Sequence, residues 1–187
     1  MKQDHRSDVK ELWVRVFKKK LILEGREVTD LPAKRKFYKE EQYKAAKRYF
    51  QRFDQYLDKA LNEPHWLKHP ELAKQNLDTL NFYNGKHYNL HAACIMSNHV
   101  HVLFTLLPGA PDLDSVMQQV KSYTGTMGNR FLKRHDRFWE IESYDHWLRD
   151  GEFERILWYI LNNPVKAGLA SHWTDWEWSF VHPDLRP

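Results

Sequence analysis

Two histidines stand one residue apart in an apolar run of the sequence, at His99 and His101. In a β-strand successive side chains point to opposite faces, so these two imidazoles face the same way, about 7 Å apart along the strand. The valine between them and the apolar residues that follow face a core. Two neutral imidazoles side by side on a rigid strand form half of a divalent-metal site. The alternative is a surface or hydrogen-bonded pair, which is common in a chain with 11 histidines.

A tyrosine and an asparagine near the end of the chain could complete such a site. Tyr159 and Asn163 are four residues apart, so both lie on one face of a helix. The amide oxygen of Asn163 is a ligand that Mg²⁺ accepts, and a nearby dication favours the phenolate form of Tyr159. A phenolate that attacks a phosphodiester gives a covalent phosphotyrosine. The alternatives are a buried helix aromatic at Tyr159 and a helix-end residue before Pro164 at Asn163.

The composition is typical of one globular domain, with 187 residues of which 42% are hydrophobic and 29% charged. We expect a basic helical part over residues 1–83 and a catalytic core over residues 84–187. A single cysteine, Cys94, excludes an internal disulfide and gives no sign of secretion. Since no apolar run is long enough to span a membrane and no signal-peptide pattern is present, the expected location is the cytoplasm.

Positive charge is concentrated at the amino terminus, where residues 1–50 carry 15 Lys or Arg against 8 Asp or Glu, a net charge of +7. Such clusters suit phosphate backbones, which attract cations without regard to sequence. The alternative is a solvated helix face. The candidate DNA-contacting residues are six cations of this amino-terminal region and three cations of the core. They are Lys18, Lys19, Lys20, Lys34, Arg35, Lys36, Lys121, Arg149 and Lys166.

Hydrophobic periodicity predicts the elements that position these residues. Helices are expected over 8–23, 34–61 and 70–80, the last with Pro70 in its first turn. Asn84-Gly85 signals either a hairpin or a helix stop. Further along, the patterns predict three strands, over 88–95, from the histidines to 106, and over 138–147. They also predict two helices, one from Asp112 or Asp114 to 132 and one over 152–161. A tryptophan-rich tail is expected to fold back onto the body.

Four segments, in this order, resemble the single-tyrosine HUH transposases and in particular the branch of REP-associated tyrosine transposases. The segments are Tyr88–His91 with Asn98–Leu103, Lys121–Thr124, Phe138–Glu140 with Ser143–Asp150, and Tyr159–Leu169. The resemblance implies an α+β fold, with a ferredoxin-like or RRM-like antiparallel sheet, helices on one face and the His-x-His pair on a central strand. It further implies cleavage of single-stranded DNA next to hairpins formed by palindromic repeats, in DNA transposition.

The resemblance also implies a role for each residue that matches a family motif. His99 and His101 would be metal ligands for Mg²⁺ or Mn²⁺, and Asn163 stands where the family places its third ligand, often a glutamine. Tyr159 would be the nucleophile that becomes joined to the 5′ phosphate. Because each single-tyrosine member carries one nucleophile and strand exchange needs two, the resemblance favours a homodimer.

Two other tyrosines are rival nucleophiles, Tyr144 in the third segment and Tyr123 on the preceding helix. The chain also departs from the family, because no apolar first strand of the Tyr-x-Val-Thr-Phe kind is found before the helical patterns. We therefore expect the first strand to be missing, which would leave unpaired backbone groups beside the histidines. This keeps a second hypothesis open, namely that the chain is a catalytically inactive remnant of a transposase that binds single-stranded nucleic acid or has a regulatory role. A third is a metal hydrolase of small phosphoesters.

Overall fold

The computed structural model describes residues 40–41, 43–45, 48, 57, 64–141 and 148–186. The chain divides into two compact units, Met1–Gln55 and Tyr56–Pro187. In the first unit the described residues are helical, and all of them lie within the span predicted as a helix over 34–61. The helix predicted over 8–23 lies outside the described residues.

An antiparallel three-stranded sheet with the order β2-β1-β3 forms the centre of the second unit. Its strands are β1 (Tyr88–Ile95), β2 (Val100–Leu106) and β3 (Ser179–Val181). The predicted bounds of β1 and the predicted end of β2 are confirmed, whereas β2 begins at Val100, one residue after His99. A tight turn joins them, in which the Met96 amide donates to the His99 carbonyl at 2.9 Å. Among the described residues β2 pairs with β1 alone, so the position of the histidines on a central strand stays a prediction.

In the part of the chain that the structure describes, four α-helices lie around the sheet, α1 (Pro70–Tyr83), α2 (Leu113–Phe131), α3 (Phe153–Leu161) and the short α4 (Asn163–Lys166). Helix α1 begins with a proline in its first turn and ends at Asn84, so Asn84-Gly85 is a helix stop. The Asp112 carboxylate caps α2 by accepting a hydrogen bond from the Ser115 amide at 2.8 Å. That bond holds the pKa of Asp112 below its usual range.

Helices pack on both faces of the sheet, so the expectation of helices on one face is wrong. One set of β1 side chains, including Leu90 and Ile95, packs with α1 and α2. The alternate set, including Cys94, packs with Leu157 and Ile160 of α3. The physical reason is that β1 is a nearly continuous apolar run, and a strand of that kind is buried on both faces.

The strand predicted over 138–147 is absent from its described part, residues 138–141, which are irregular. Side chains rather than a backbone ladder fix this segment, because Trp139 Nε1 donates to Thr124 Oγ1 of α2 at 2.8 Å. The tryptophan-rich tail does fold back, as predicted. The Ile95 amide donates to the Trp178 carbonyl at 2.9 Å, and β3 then pairs with β1.

Candidate metal and nucleophile site

The two histidines of the apolar run converge at the turn end of the β1–β2 hairpin. The Nε2 atoms of His99 and His101 lie 3.0 Å apart, and both side chains are buried, with exposed fractions of 9% and 8%. An octahedral ion with ligands at about 2.1 Å separates two adjacent ligand atoms by about 3.0 Å. The spacing of the two imidazole nitrogens therefore equals one edge of an Mg²⁺ coordination shell.

The register of the hairpin sets which face the imidazoles occupy. His101 pairs with Cys94 across the strands, and the Cys94 side chain packs on the side of the sheet that holds α3. Val100 and Val102 pack on the opposite side, as the alternation predicts. A short 3-10 helix, Trp66–Lys68, supports the turn, because the Leu67 amide donates to the Ser97 carbonyl at 3.0 Å.

Tyr159 lies on the same side of the sheet as the histidines. Its ring centre is 6.0 Å from that of His101, with the two rings nearly perpendicular, and its side chain is half-buried. Helix α3 places it there by burying Leu157, Ile160 and Leu161 against the sheet. The phenol therefore stands at the edge of the buried core, next to the imidazole pair and within reach of solvent.

Asn163 opens α4, four residues after Tyr159, and its side chain is fully buried. Neither its amide oxygen nor its amide nitrogen has a hydrogen-bond partner within the part of the chain that the structure describes. Leaving a buried polar group unsatisfied costs about 1–3 kcal/mol, so such groups usually have a function or a missing partner. A cation would satisfy the amide oxygen.

These residues fit a hard divalent cation. Across the described ranges no group of three or more His, Cys, Asp or Glu side chains could hold a metal. Within those ranges the amide oxygen of Asn163 is the candidate for a third protein ligand. Amide oxygens are ligands that Mg²⁺ accepts, and this ion commonly keeps several waters in its shell. Two imidazoles and one amide oxygen, from His99, His101 and Asn163, are a suitable protein contribution to such a shell.

The predicted DNA-contacting cations fall into two groups. Arg149 and Lys166 are exposed, and the Lys166 ammonium lies 3.6 Å from the centre of the Tyr159 ring. Lys121 is half-buried and donates from Nζ to the carbonyl of Glu140 at 3.0 Å, so it also fixes the irregular segment. The remaining candidates lie outside the described residues, namely Lys18, Lys19, Lys20, Lys34, Arg35 and Lys36.

The structure separates the rival tyrosines. Tyr123 is 53% exposed on α2, a helix that packs on the face of the sheet away from the histidines. Tyr144 lies outside the described residues. The ring of Tyr159, by contrast, is in contact with the ring of His101.

One residue of the site went unnoticed in the sequence. Asn98 precedes the first histidine, and its side-chain oxygen lies 2.7 Å from His99 Nδ1. Periodicity gives no indication of this contact, because it forms in a turn. The available signal was the residue type, since a ligating histidine usually donates its second ring N–H to an acceptor oxygen and the amide oxygen of asparagine can accept.

Comparisons with known proteins find relatives of this chain in sequence and in fold. The chain is 29% identical over 100 residues to the REP-associated tyrosine transposase of Escherichia coli strain K12, a match that spans 52% of this chain and 57% of that protein. A relative from Haemophilus influenzae that carries the same family name is 28% identical over 109 residues, 51% of this chain and 60% of the relative. The chain thus spans well under two thirds of these relatives.

The fold is also similar to that of a solved structure, a REP-associated tyrosine transposase bound to a REP hairpin. The TM-score is 0.53 at 20% identity, over 67% of this chain and 76% of the other. No family model matches the sequence. The resemblance to REP-associated tyrosine transposases is confirmed by these relatives, and the α+β fold by the solved structure. Among the described residues, no helix is both long and apolar enough to cross a membrane.

Proposed function

We propose that this chain, which resembles the REP-associated tyrosine transposases in sequence and fold, is a single-stranded DNA endonuclease and strand transferase. It acts next to DNA hairpins, in DNA transposition, and uses Mg²⁺ or Mn²⁺. The observation that carries the proposal is the position of the Tyr159 ring, 6.0 Å from that of His101, on the face where two imidazole nitrogens converge.

Tyr159 is the nucleophile of the proposed reaction. Its phenol loses a proton to solvent, and the oxygen forms a bond to phosphorus and displaces the 3′ oxygen of the preceding nucleotide, which takes up a proton. The DNA 5′ phosphate is then held on the enzyme. Attack by another 3′ hydroxyl reverses the step and rejoins a strand, so no external energy source is needed.

His99, His101 and Asn163 would hold the cation, which when bound polarises a phosphoryl oxygen and favours the phenolate. The side chains themselves fix the geometry. Burial of both imidazoles against the sheet keeps their nitrogens together, and the short α4 keeps the amide one helical turn beyond the tyrosine. The side chains of Arg149 and Lys166 are exposed, and we expect both cations to contact the phosphate backbone.

A labelled oligonucleotide that contains a hairpin and single-stranded flanks tests the proposal. With Mg²⁺ present, the protein should shorten the labelled strand and leave a covalent adduct that mass spectrometry locates at Tyr159. Tyr159→Phe should abolish cleavage while hairpin binding changes less than about twofold, since it removes one hydroxyl and keeps the ring. Tyr123→Phe, on the opposite side of the sheet, is the matched control and should cleave normally.

The outcomes separate the alternatives. Cleavage that survives Tyr159→Phe, or an adduct at Tyr144, would refute the assignment of the nucleophile. Binding of the hairpin by the unaltered protein without cleavage in either Mg²⁺ or Mn²⁺ would favour the inactive, single-strand-binding remnant. Sedimentation of the protein with and without the oligonucleotide measures whether a homodimer forms.

A further inference from the structure

A side-chain relay runs from a helical residue near the start of the second unit to the first histidine of the site. Asn98 Nδ2 donates to the Leu57 carbonyl at 2.9 Å, and Asn98 Oδ1 lies 2.7 Å from His99 Nδ1. Both distances are those of well-formed hydrogen bonds. The asparagine thus connects two parts of the chain that are 41 residues apart in sequence.

The chemistry of the relay fixes its direction. A backbone carbonyl can only accept, so the atom of Asn98 that faces Leu57 has to be the amide nitrogen. The amide oxygen therefore faces His99, and an amide oxygen can only accept. It follows that His99 carries its proton on Nδ1, and that its Nε2 presents a lone pair.

The position of the ring proton on His101 follows from its position on His99. The Nε2 atoms of His99 and His101 lie 3.0 Å apart, a distance that requires a proton between two neutral imidazoles. Because His99 Nε2 has the lone pair, His101 Nε2 has to carry the proton in the metal-free protein. In the metal-free protein the Nε2 lone pair of His99 accepts this proton, and both Nε2 lone pairs become available to a cation when the His101 proton moves to Nδ1.

We infer that Asn98, anchored by the Leu57 carbonyl, is a positioning residue that fixes the His99 tautomer so that Nε2 can ligate a divalent cation. The inference rests on the proposed function for the use of the site, while the tautomer itself is a property of the metal-free protein. Neighbours that orient ligating histidines typically change metal affinity by about 10- to 100-fold when they are removed.

The test is ¹⁵N NMR of the histidine rings in the metal-free full-length protein, at about pH 8, where an ordinary imidazole is neutral. The unaltered protein should show His99 protonated on Nδ1 and His101 on Nε2. Asn98→Ala should convert His99 into a mixture of both tautomers and weaken Mn²⁺ binding, measured by electron paramagnetic resonance, about 10-fold.

A second variant guards against loss of folding. Asn98→Asp keeps an oxygen that accepts from His99 but places another oxygen against the Leu57 carbonyl, so the Nδ1 tautomer should persist while the anchor is lost. Asn89→Ala, which alters an exposed asparagine of β1, is the matched control and should change neither the His99 tautomer nor the affinity for Mn²⁺.

The relay would be refuted if His99 of the unaltered protein carries its proton on Nε2, or if Asn98→Ala leaves the tautomer unchanged. Absence of Mn²⁺ binding in the unaltered protein would contradict the proposed metal site instead. In that case the tautomer reading still decides whether the relay exists, so the two failures are distinguishable.

Discussion

The ammonium nitrogen of Lys166 lies 3.6 Å from the centre of the Tyr159 ring. The two residues sit on different helices, α4 and α3, which Asn162 joins. The centre of the His101 ring lies 6.0 Å from the centre of the same Tyr159 ring, and the two ring planes are nearly perpendicular. The proposed nucleophile therefore contacts both an imidazole of the candidate metal site and an exposed lysine.

Removal of that lysine charge should slow cleavage without abolishing it. A cation over an aromatic ring contributes about 0.5–2 kcal/mol, so we expect Lys166→Met to lower the cleavage rate about 3- to 30-fold. Lys166→Arg, which keeps a cation, should recover most of the rate. Lys74→Met removes an exposed lysine that pairs with Asp78 on α1 and serves as the control for lost charge. Equal rates for Lys166→Met and Lys74→Met would show that the ring contact has no role.

His99→Ala should remove both metal binding and cleavage. It deletes one of two ligand nitrogens that are 3.0 Å apart, and the remaining protein ligands cannot hold the ion in the same place. Calorimetric titration with Mn²⁺ measures the first effect, and hairpin cleavage the second. His91→Ala, on β1, provides a matched loss of one imidazole, and it should retain metal binding. Cleavage by His99→Ala at an unchanged rate would exclude a metal role for this residue.

Asn163 gives the sharpest distinction between a structural and a ligating role. Its buried amide has no hydrogen-bond partner among the described residues, so Asn163→Leu, with the same branched skeleton, removes an unsatisfied polar group. We expect the metal-free variant to be as stable as the unaltered protein, or more stable by up to about 2 kcal/mol, with Mn²⁺ binding lost. Asn163→Asp should retain metal binding, since a carboxylate oxygen replaces the amide oxygen.

Urea denaturation and Mn²⁺ titration of the same samples measure both properties. Strong destabilisation of Asn163→Leu together with unaltered Mn²⁺ affinity would assign the asparagine a structural role.

The sequence predicted the elements that carry the site better than the contacts within it. The bounds of β1 and β2 follow from alternation and turn residues, and α1 and α3 from helical spacing. Those patterns depend on neighbours along the chain, which is why they can be read locally. The ring contact of Lys166 and the bond from Asn98 to Leu57 depend on how a helix junction and a turn dock in space. No periodicity encodes such a contact.

The error over residues 138–141 has a similar cause. Aromatic residues at 138 and 139 favour a strand by type, but here they fill a groove on α2. Helices on both faces were missed because the expectation of helices on one face came from the family resemblance and not from the apolar run of β1. A run of that length is typical of a strand buried on both sides.

The stability of the fold should fall as the pH drops below about 6.5, the ordinary imidazole value. Burial, and then the nearby His182, lower the pKa of His91, whose Nε2 is bonded to Thr105 at 2.8 Å. The folded state therefore binds fewer protons than the unfolded chain in this window, and stability rises with pH through it. Between about pH 5 and pH 8, the urea concentration at the midpoint of unfolding should rise less steeply with pH in His91→Gln than in the unaltered protein. Equal slopes in both proteins would contradict a lowered pKa.

A methyl group at Gly128 of α2 is predicted to be poorly tolerated. A Cβ at this position would meet the Phe138 ring at 2.8 Å and less, whereas one at Gly125 would lie 3.4 Å from Trp139. We expect Gly128→Ala to lower the free energy of unfolding by about 1–3 kcal/mol, because the ring has to move out of its groove. Gly125→Ala, one turn earlier, should change it by less than about 1 kcal/mol, since the gain in helix propensity offsets the closer contact. Thermal unfolding of the two variants compares them directly. A larger loss in Gly125→Ala would mean that Phe138 does not pack against the bare backbone of α2.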